Sequence, residues 1–284
     1  MFVSDGSAPD QETRSALLGL FARVADSDGI KVPIAEHDLD PGPQQATIYV
    51  ACEGGRLIGA AVVIRFHKPE AMVFVDPDWR RQGVGRELVK AVQAGMRERT
   101  ETEGLLLADL KGSAAKPFLA AIDVPFAFAE YGMMITEAPV DESLPIDGLQ
   151  FRSATAADRA TLIAVQMVAF NRPKDESTAH IDGGLAETRR HFVLAEVHGD
   201  AIGMVRQGEW DGVGDITSLG VVPTWRKHGV GRALLVRATR ELFAMGFDRV
   251  GLEVETENPT ALTLYTSVGY QIQAQFGYYR LLAG

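Results

Sequence analysis

The sequence has a single cysteine, Cys52, among its 284 residues. An intramolecular disulfide is therefore excluded, which is typical of proteins from a reducing compartment such as the cytoplasm. The cysteine itself is typical of a small buried strand residue. Clusters of histidine and cysteine are also missing, and their absence predicts that the protein holds no metal.

Long apolar runs are absent as well. Hydrophobic residues make up 46% of the chain, but no run approaches the roughly 20 apolar residues of a membrane-spanning helix. Residues 1–10 are polar and acidic and do not resemble a secretory signal. We therefore expect a cytoplasmic protein that has no membrane partner.

Positive charge is in short supply. The chain carries a net charge of −10, from 28 basic and 38 acidic residues. Residues 1–148 have a net charge of −9, and residues 149–284 a net charge of −1. Nucleic-acid binding needs a basic surface for the phosphate backbone, so the composition excludes a nucleic acid as the main partner.

What the chain does contain is a long repeat. Residues 75–88 return as residues 221–234, with nine of fourteen positions identical and an offset of 146 residues. A period this long indicates duplication of a whole domain. In both halves a hairpin pattern precedes a strand, a glycine loop and a helix, which predicts a mixed α/β sheet flanked by helices. We expect domains at 1–138 and 149–284, joined by a proline-containing linker at 139–148.

The repeated core, Arg-x-x-Gly-x-Gly, suits an anion. A helix start has unpaired N–H groups and a partial positive charge, and glycines let the backbone approach phosphate oxygens closely. The spacing differs from that of the P-loop and of the dinucleotide fingerprint. Each copy follows a proline and a tryptophan, which makes a purely structural turn the less favoured interpretation. The residues predict a site for pyrophosphate or a similar polyanion in each half.

A second motif, Asn-x-x-Ala-x-x-Leu-Tyr-x-x-x-Gly-Tyr, spans residues 258–270. Together, the two motifs resemble those of the GNAT N-acyltransferase superfamily. The resemblance implies two tandem GNAT-like domains and acetyl-CoA, or another acyl-CoA, as co-substrate. In the second half the implied cofactor-binding residues are Gly220, Val221, Val222, Arg226, Lys227, His228, Gly229, Val230, Gly231, Arg232, Ala233 and Asn258. In the first half they are Phe74, Val75, Arg80, Arg81, Gln82, Gly83, Val84, Gly85 and Arg86.

The resemblance also assigns catalytic roles. Acetyl transfer from a thioester to an amine needs a donor for the oxyanion, an acid for the departing thiolate and a base for the amine. Tyr265 is the implied acid, and the Val221 N–H is the implied oxyanion donor. For the base, Asp215 is the first choice, and Glu253 and Glu255 are the alternatives. His180 and His191 have no recognisable partner in the sequence.

The first half lacks the acid. At the offset of 146, Tyr265 corresponds to Leu119 and Asn258 to Gly112. Leucine cannot donate a proton, so we expect the first half to be catalytically degenerate, either a binder of CoA without chemistry or a relic.

The predicted function is acetyl-CoA-dependent N-acetylation of a primary amine on a small molecule, by direct attack through a tetrahedral intermediate. The acceptor would contact residues 171–187 and 207–214, which carry no recognisable motif. A tandem arrangement with an eroded first copy resembles the mycothiol synthase family, which implies a cysteinyl amine as one specific acceptor. Two other interpretations stay open, namely a non-catalytic acyl-CoA sensor or scaffold, and a protein-lysine acetyltransferase.

Overall fold

The structure, a computed structural model, describes residues 9–34, 39, 46–65, 68–140 and 146–284. It confirms a mixed α/β fold. In the first half of the sequence the elements are α1 (Gln11–Asp28), β1 (Thr47–Glu53), β2 (Arg56–Arg65), β3 (Pro69–Val75), α2 (Val84–Glu98), β4 (Glu103–Asp109), α3 (Ala115–Ile122) and β5 (Phe126–Ile135). In the second half they are β6 (Leu149–Ser153), α4 (Arg159–Phe170), α5 (Lys174–Ala186), β7 (Arg190–Val197), β8 (Asp200–Trp210), β9 (Val213–Val221), α6 (Val230–Ala244), β10 (Val250–Glu255), α7 (Pro259–Val268) and β11 (Gln271–Leu282).

The described chain forms two compact units. Unit 1 contains the described residues of Met1–Tyr131 together with Glu255–Glu257 and Ala274–Gly284, and unit 2 contains those of Gly132–Val254 and Asn258–Gln273. These units differ from the division expected at residues 138 and 149, because each half of the sequence contributes segments to both. Residues 141–145 of the expected linker lie outside the described part of the chain.

Unit 1 contains a sheet with the strand order β1-β2-β3-β4-β11. Strands β3 and β4 are parallel, and the other neighbours are antiparallel. Every residue of β2 from Leu57 to Ile64 is buried, because α1 covers one face of the strand and α2 the other. Burial on both faces explains the uninterrupted apolar run in the sequence of β2.

Unit 2 repeats this plan with the order β10-β9-β8-β7-β6. Strands β9 and β10 are parallel, and the other neighbours are antiparallel. Helices α4 and α5 pack on Leu194 and Met204. Leu234 and Leu242 of α6 lie against the opposite face, where Gly203 and Gly214 expose the strand backbone. The two layers of helices leave the C-terminal end of β9 beside the start of α6.

Helix α5 was not expected from the sequence. Its buried residues are Ser177, Ile181 and Gly184, which have helical spacing, but only one of them is a large apolar residue. A buried face made of small and polar residues produces no hydrophobic period, so the pattern of the sequence does not reveal this helix.

None of the helices in the described ranges combines the length and the apolar character needed to cross a lipid bilayer.

Strand β3 contains a partly buried carboxyl group that should reduce stability at neutral pH. Burial, together with the negative charge of Glu130, raises the pKa of Glu70 to about 7. The folded state therefore binds more protons than the unfolded state between about pH 4.3 and 7, and stability falls as the pH rises through this window. We expect Glu70→Gln to raise the free energy of unfolding by about 2–3 kcal/mol at pH 8 and by little at pH 5.

Urea titration at the two pH values measures this difference. Glu53→Gln, at an exposed position, is the matched control and should change neither value. An equal effect of Glu70→Gln at both pH values would contradict the assignment.

Candidate active site

The two glycine loops have the same backbone conformation. Gly83 and Gly229 precede α2 and α6 with φ/ψ angles of 88°/−9° and 88°/−10°, left-handed values that favour glycine. Two residues earlier, Arg81 and Lys227 have φ angles of 64° and 63°. The sequence repeat is therefore also a repeat in geometry. Such turns before a helix form a concave row of N–H groups of the kind that binds anions.

The start of α6 supplies unpaired donors. The first hydrogen bond within the helix runs from the Ala233 N–H to the Gly229 carbonyl, at 3.0 Å. The N–H groups of Val230 and Gly231 come earlier in the chain, and the helix offers them no acceptor. These two donors, with the positive end of the helix dipole, suit a phosphate group.

The third loop position differs between the units. A β-carbon on Gly231 would make only ordinary contacts, at 3.6 Å to Val221 and 3.7 Å to Leu264. A β-carbon on Gly85 would lie 2.9 Å from the Phe118 ring. Packing therefore favours glycine in unit 1 unless the Phe118 ring shifts, whereas in unit 2 packing leaves room for a side chain and the close approach of a ligand to the backbone would explain the glycine.

A gap opens beside the end of β9. The pairing of β9 with β10 ends at Ile216 opposite Leu252, although β9 continues to Val221. On its other edge, the Val222 N–H donates to the Ile202 carbonyl of β8 at 2.9 Å. The alternation of an antiparallel ladder then turns the Val221 N–H away from β8 and into the gap. This is the group that the sequence predicts as the oxyanion donor.

Strand β9 has a bulge within this gap. Its register with β8 shifts by one residue between Met204 and Arg206, so that Ser218 and Leu219 oppose the single residue Val205. Ser218 has a φ of 52°, a strained value for a residue other than glycine. In unit 1, β3 pairs with β2 without any shift. Of the two equivalent strands, β3 and β9, only β9 therefore has a bulge.

Helix α7 lies beside the loop of α6. The Arg232 guanidinium donates to the Ser267 hydroxyl at 3.0 Å, and Leu264 lies next to Gly231. Asn258 caps α7 by accepting a hydrogen bond from the Ala261 N–H at 3.1 Å, as its position before a proline suggests. These contacts fix the helix that contains Tyr265.

Tyr265 has the properties of a proton donor. Its side chain is 8% exposed, and burial raises the pKa of its hydroxyl to about 12. Its ring lies 6.3 Å from that of Tyr270, whose hydroxyl is 2.7 Å from the Thr239 oxygen. The Tyr265 hydroxyl itself has no hydrogen-bond partner among the described residues. It is protonated at neutral pH and available to a ligand.

Two predicted phosphate ligands have partners within unit 2. The Arg226 guanidinium donates to the carbonyls of Val221 at 3.1 Å and Ala169 at 2.7 Å. The Nδ1 atom of His228 is 2.9 Å from the Arg226 carbonyl. Arg226 therefore connects the end of β9 to the end of α4, and its contact with phosphate stays a prediction.

Unit 1 has a cavity of about 530 Å³ at its glycine loop, a size typical of ligand pockets. Gly83, Gly85 and Leu119 line it. Arg80 also lines the cavity, and both its terminal nitrogens donate to the Asp28 carboxylate, at 2.8 and 3.0 Å. Leu119 occupies the position of Tyr265 in the repeat, so the cavity has a place for an anion but no phenol.

Asp215, the first choice for the base, lies in a network of four charged groups. Its carboxylate accepts a hydrogen bond from Arg190 at 2.8 Å, and Glu187 accepts from Arg190 at 2.9 Å and from Arg206 at 2.8 Å. Burial raises the pKa of Asp215, although Arg190 opposes this shift. These four mostly buried groups, two arginines and two carboxylates, are electrically balanced, and a fifth, more exposed group, Arg189, lies 3.6 Å from Glu187.

One of the alternative bases, Glu255, lies apart from this network. It belongs to unit 1, although its neighbours in the sequence up to Val254 belong to unit 2. Within unit 1 its charge contributes to the raised pKa of Glu130, where burial is the main cause. The structure therefore brings Tyr265 and Asp215 into one unit and assigns Glu255 to the other.

The structure also reveals a contact between two side chains that was not predicted from the sequence. His180 of α5 and Ser218 of the bulge have their Nε2 and Oγ atoms 2.8 Å apart. Residues 38 positions apart in the sequence give no local signal of such a pair. Ala71 of β3 and Ile216 of β9 occupy equivalent positions in the two units, because Ala71 pairs with Leu106 and Ile216 with Leu252. Their offset is 145 residues, one fewer than the 146 at the loops, and the bulge accounts for the extra residue.

Comparisons with known proteins agree with this geometry. Residues 159–270 match the acetyltransferase (GNAT) family model, and residues 44–120 match a model described as acetyltransferase (GNAT) domain. A mycothiol acetyltransferase of Beutenbergia cavernae is 30% identical over 93% of this chain and 95% of its own length. The chain belongs to the GNAT family of N-acetyltransferases.

Other relatives cover the whole tandem arrangement. The mycothiol acetyltransferase of Clavibacter michiganensis is 29% identical over 96% of this chain and 92% of its own length. A GCN5-related N-acetyltransferase from Sphaerobacter thermophilus has a TM-score of 0.81 at 22% identity, with 97% of this chain and 94% of that chain covered. A tandem GNAT protein from the clavulanic acid biosynthesis pathway has a TM-score of 0.74 at 17% identity, with 100% and 98% covered. The two structures support the fold.

The glycine of the GNAT loop in unit 2 allows a test of ligand contact. We expect Gly231→Ala to leave the protein as stable as the native chain, or about 0.5–1 kcal/mol more stable, because alanine favours helix and the site has room for a β-carbon. CoA binding should weaken at least tenfold, since the methyl group would lie where the phosphate approaches the backbone. Isothermal titration calorimetry and thermal unfolding measure the two effects.

Gly85→Ala is the matched variant in unit 1. It should lower stability by about 1–3 kcal/mol, because the new methyl group displaces the Phe118 ring. Unchanged CoA affinity in Gly231→Ala would mean that the unit 2 loop is only a structural turn.

Proposed function

We propose that unit 2 is an acetyl-CoA-dependent N-acetyltransferase that acts on a primary amine of a small molecule. The observation that carries the proposal is the combination, within one unit, of the Val230 and Gly231 N–H groups that α6 leaves without an acceptor, an open edge of β9 and a protonated tyrosine on α7. GNAT acetyltransferases use acyl-CoA. The three features would contact, in the same order, its pyrophosphate, its pantetheine arm with the thioester, and the sulfur that leaves as a thiolate.

Each group has a role in the proposed reaction. The N–H groups of Val230 and Gly231 hold the pyrophosphate, and the open edge of β9 binds the pantetheine arm. The Val221 N–H stabilises the oxyanion that forms when the amine attacks the thioester carbonyl. Tyr265 donates its proton to the sulfur as the carbon–sulfur bond breaks.

Unit 1 has a supporting role in this proposal. Its loop reproduces the anion site, and its cavity has room for part of a CoA molecule, but Leu119 cannot protonate a thiolate. We propose that unit 1 binds CoA and performs no transfer. A stoichiometry of two CoA molecules per chain in calorimetry supports this role, and a stoichiometry of one that survives Gly231→Ala would contradict the assignment of catalysis to unit 2.

A cysteinyl amine is the specific acceptor that the relatives favour. The proteins named mycothiol acetyltransferase align over more than nine-tenths of this chain, so their similarity includes both units. At 29–30% identity, a change of acceptor within the same chemistry is compatible with that similarity.

An amine panel tests the proposal. The full chain is incubated with acetyl-CoA and one of four amines: S-methyl-L-cysteine methylamide, D-glucosamine, spermidine or phenethylamine. The blocked sulfur of the first ensures that any free thiol comes from CoA, and mass spectrometry identifies the acetylated product. We expect thiol release above that of the amine-free control for at least one amine, with the cysteinyl compound fastest. CoA binding without transfer to any of the four would support the non-catalytic sensor instead.

A further inference from the structure

The bulge in β9 is the main difference between the catalytic strand of unit 2 and its counterpart in unit 1. A bulge bends the strand and redirects a side chain. Here it holds Ser218 at a φ of 52°, at a cost of about 1 kcal/mol or more for a residue with a side chain. The hydroxyl that this conformation presents lies 2.8 Å from the Nε2 atom of His180. If this position served packing alone, glycine would adopt the same backbone conformation at a lower conformational energy.

The position of this pair is suited to the acceptor amine. Ser218 lies three residues before Val221, which corresponds to about 10 Å of strand. The bulge therefore lies on the part of β9 that no longer pairs with β10, further from the phosphate loop than the predicted oxyanion donor. With the thioester carbonyl at the Val221 N–H, an acceptor amine that approaches it along the open edge from the end opposite to the loop passes Ser218.

The chain also needs a base near this point, and the carboxylate that was the first choice is engaged with an arginine. Asp215 is hydrogen-bonded to Arg190. The charged groups on the strands beside α5 are Arg190 on β7, Arg206 on β8 and Asp215 on β9, and they balance one another with Glu187. An imidazole is the side chain whose ordinary pKa lies nearest to neutral pH.

We propose that the Ser218–His180 pair removes the proton from the acceptor amine. This proposal rests on the transferase function proposed above. As the ammonium proton moves to the Ser218 oxygen, the hydroxyl proton moves to Nε2 of His180, which requires the tautomer with its proton on Nδ1. The neutral amine then attacks the thioester, and the carbon–sulfur bond breaks. The thiolate takes the proton of Tyr265, the tyrosinate takes the remaining proton from the new amide nitrogen, and the imidazolium returns its proton to solvent.

Three variants test this relay. His180→Gln keeps a polar group beside Ser218 but cannot accept the proton, and Ser218→Gly removes the hydroxyl while relieving the backbone strain. His191→Gln is the matched control, because His191 lies in the same unit on β7 and contacts Gln207, at 3.5 Å. The substrates are acetyl-CoA and the fastest amine of the panel above, and kcat/KM is measured from pH 6 to pH 10, with CoA affinity measured by calorimetry.

For His180→Gln and Ser218→Gly we expect a loss of about 10²-fold in kcat/KM at pH 7. The loss should become smaller toward pH 10, because a larger fraction of the amine is then already deprotonated in solution. CoA affinity should stay within twofold of the native value, and His191→Gln should follow the native profile throughout.

Other outcomes overturn the proposal in distinguishable ways. A loss in His180→Gln that is the same at every pH would mean a structural role. A native rate in Ser218→Gly would overturn the relay through the hydroxyl, and a native rate in His180→Gln would overturn the proposal as a whole while transfer by the native chain still stands. If the native chain binds CoA but acetylates none of the four amines, the transferase function fails, and the role of His180 fails with it.

Discussion

Tyr265→Phe is expected to lower kcat by about 10²–10³-fold while leaving the affinity for CoA within twofold. The substitution removes only the hydroxyl, and the Tyr265 ring, which is buried against Tyr270, keeps its packing. Without a proton donor the thiolate must leave as an anion in a buried site, which is the costly part of the breakdown of the tetrahedral intermediate. Thiol release under saturating acetyl-CoA and amine measures the change in kcat.

The pH profile adds a second expectation for Tyr265. Because burial raises the pKa of its hydroxyl to about 12, the acid stays protonated throughout the physiological range. We therefore expect no alkaline loss of activity from this residue below about pH 11. A decline near pH 9–10 that disappears in Tyr265→Phe would show that the hydroxyl ionises much earlier than its buried environment predicts.

Tyr270→Phe is the control for this variant. Tyr270 is fully buried and its hydroxyl is hydrogen-bonded to Thr239, so its loss should cost about 1 kcal/mol of stability and little activity. Equal activity losses in the two variants would point to a general disturbance of α7 rather than to acid catalysis by Tyr265.

Much of the fold follows from the sequence because its signals are local. The hairpins, the glycine loops and the helices α2 and α6 that follow the loops depend on residues a few positions apart, and the structure contains them in the predicted order. Helix α5 was missed because its buried face consists of Ser177, Ile181 and Gly184, which produce no apolar period. The division into units also differs, since Glu255–Glu257 and Ala274–Gly284 from the second half of the sequence belong to unit 1.

The site was predictable in part for the same reason. The conformation of the glycine loop follows from one continuous segment. The resemblance of two local motifs to those of the GNAT superfamily singled out Val221 and Tyr265, and their roles stay predictions. The partners of Asp215 and Ser218 could not be predicted in this way, because Arg190 and His180 reach them from other elements, 25 and 38 residues away in the sequence. The sequence shows which residue types are present. Contacts between elements that are distant in the sequence decide whether a carboxylate is free to act as a base.

Asp215→Asn is expected to lower the free energy of unfolding of the native chain by about 3–5 kcal/mol, because it removes one charge from a buried, balanced network. Arg190 and Arg206 would then face Glu187 as the one remaining carboxylate of the network. Burial lowers the pKa of Arg190, but Asp215 and Glu187 raise it by more, so the arginine cannot lose its charge to relieve the imbalance. Urea unfolding at pH 7 measures the loss, and salt should recover little of it since these side chains are mostly buried.

The double variant Arg190→Gln/Asp215→Asn separates the two roles considered for Asp215. If the carboxylate serves mainly to balance Arg190, removing both charges should restore part of the lost stability, because no uncompensated charge from this pair remains in the interior. The activity of the folded fraction of Asp215→Asn should then stay within about tenfold of the native value, since the base proposed here is His180. A loss of 10³-fold or more in a fully folded Asp215→Asn, with no loss of stability, would instead make Asp215 the base and its contact with Arg190 incidental.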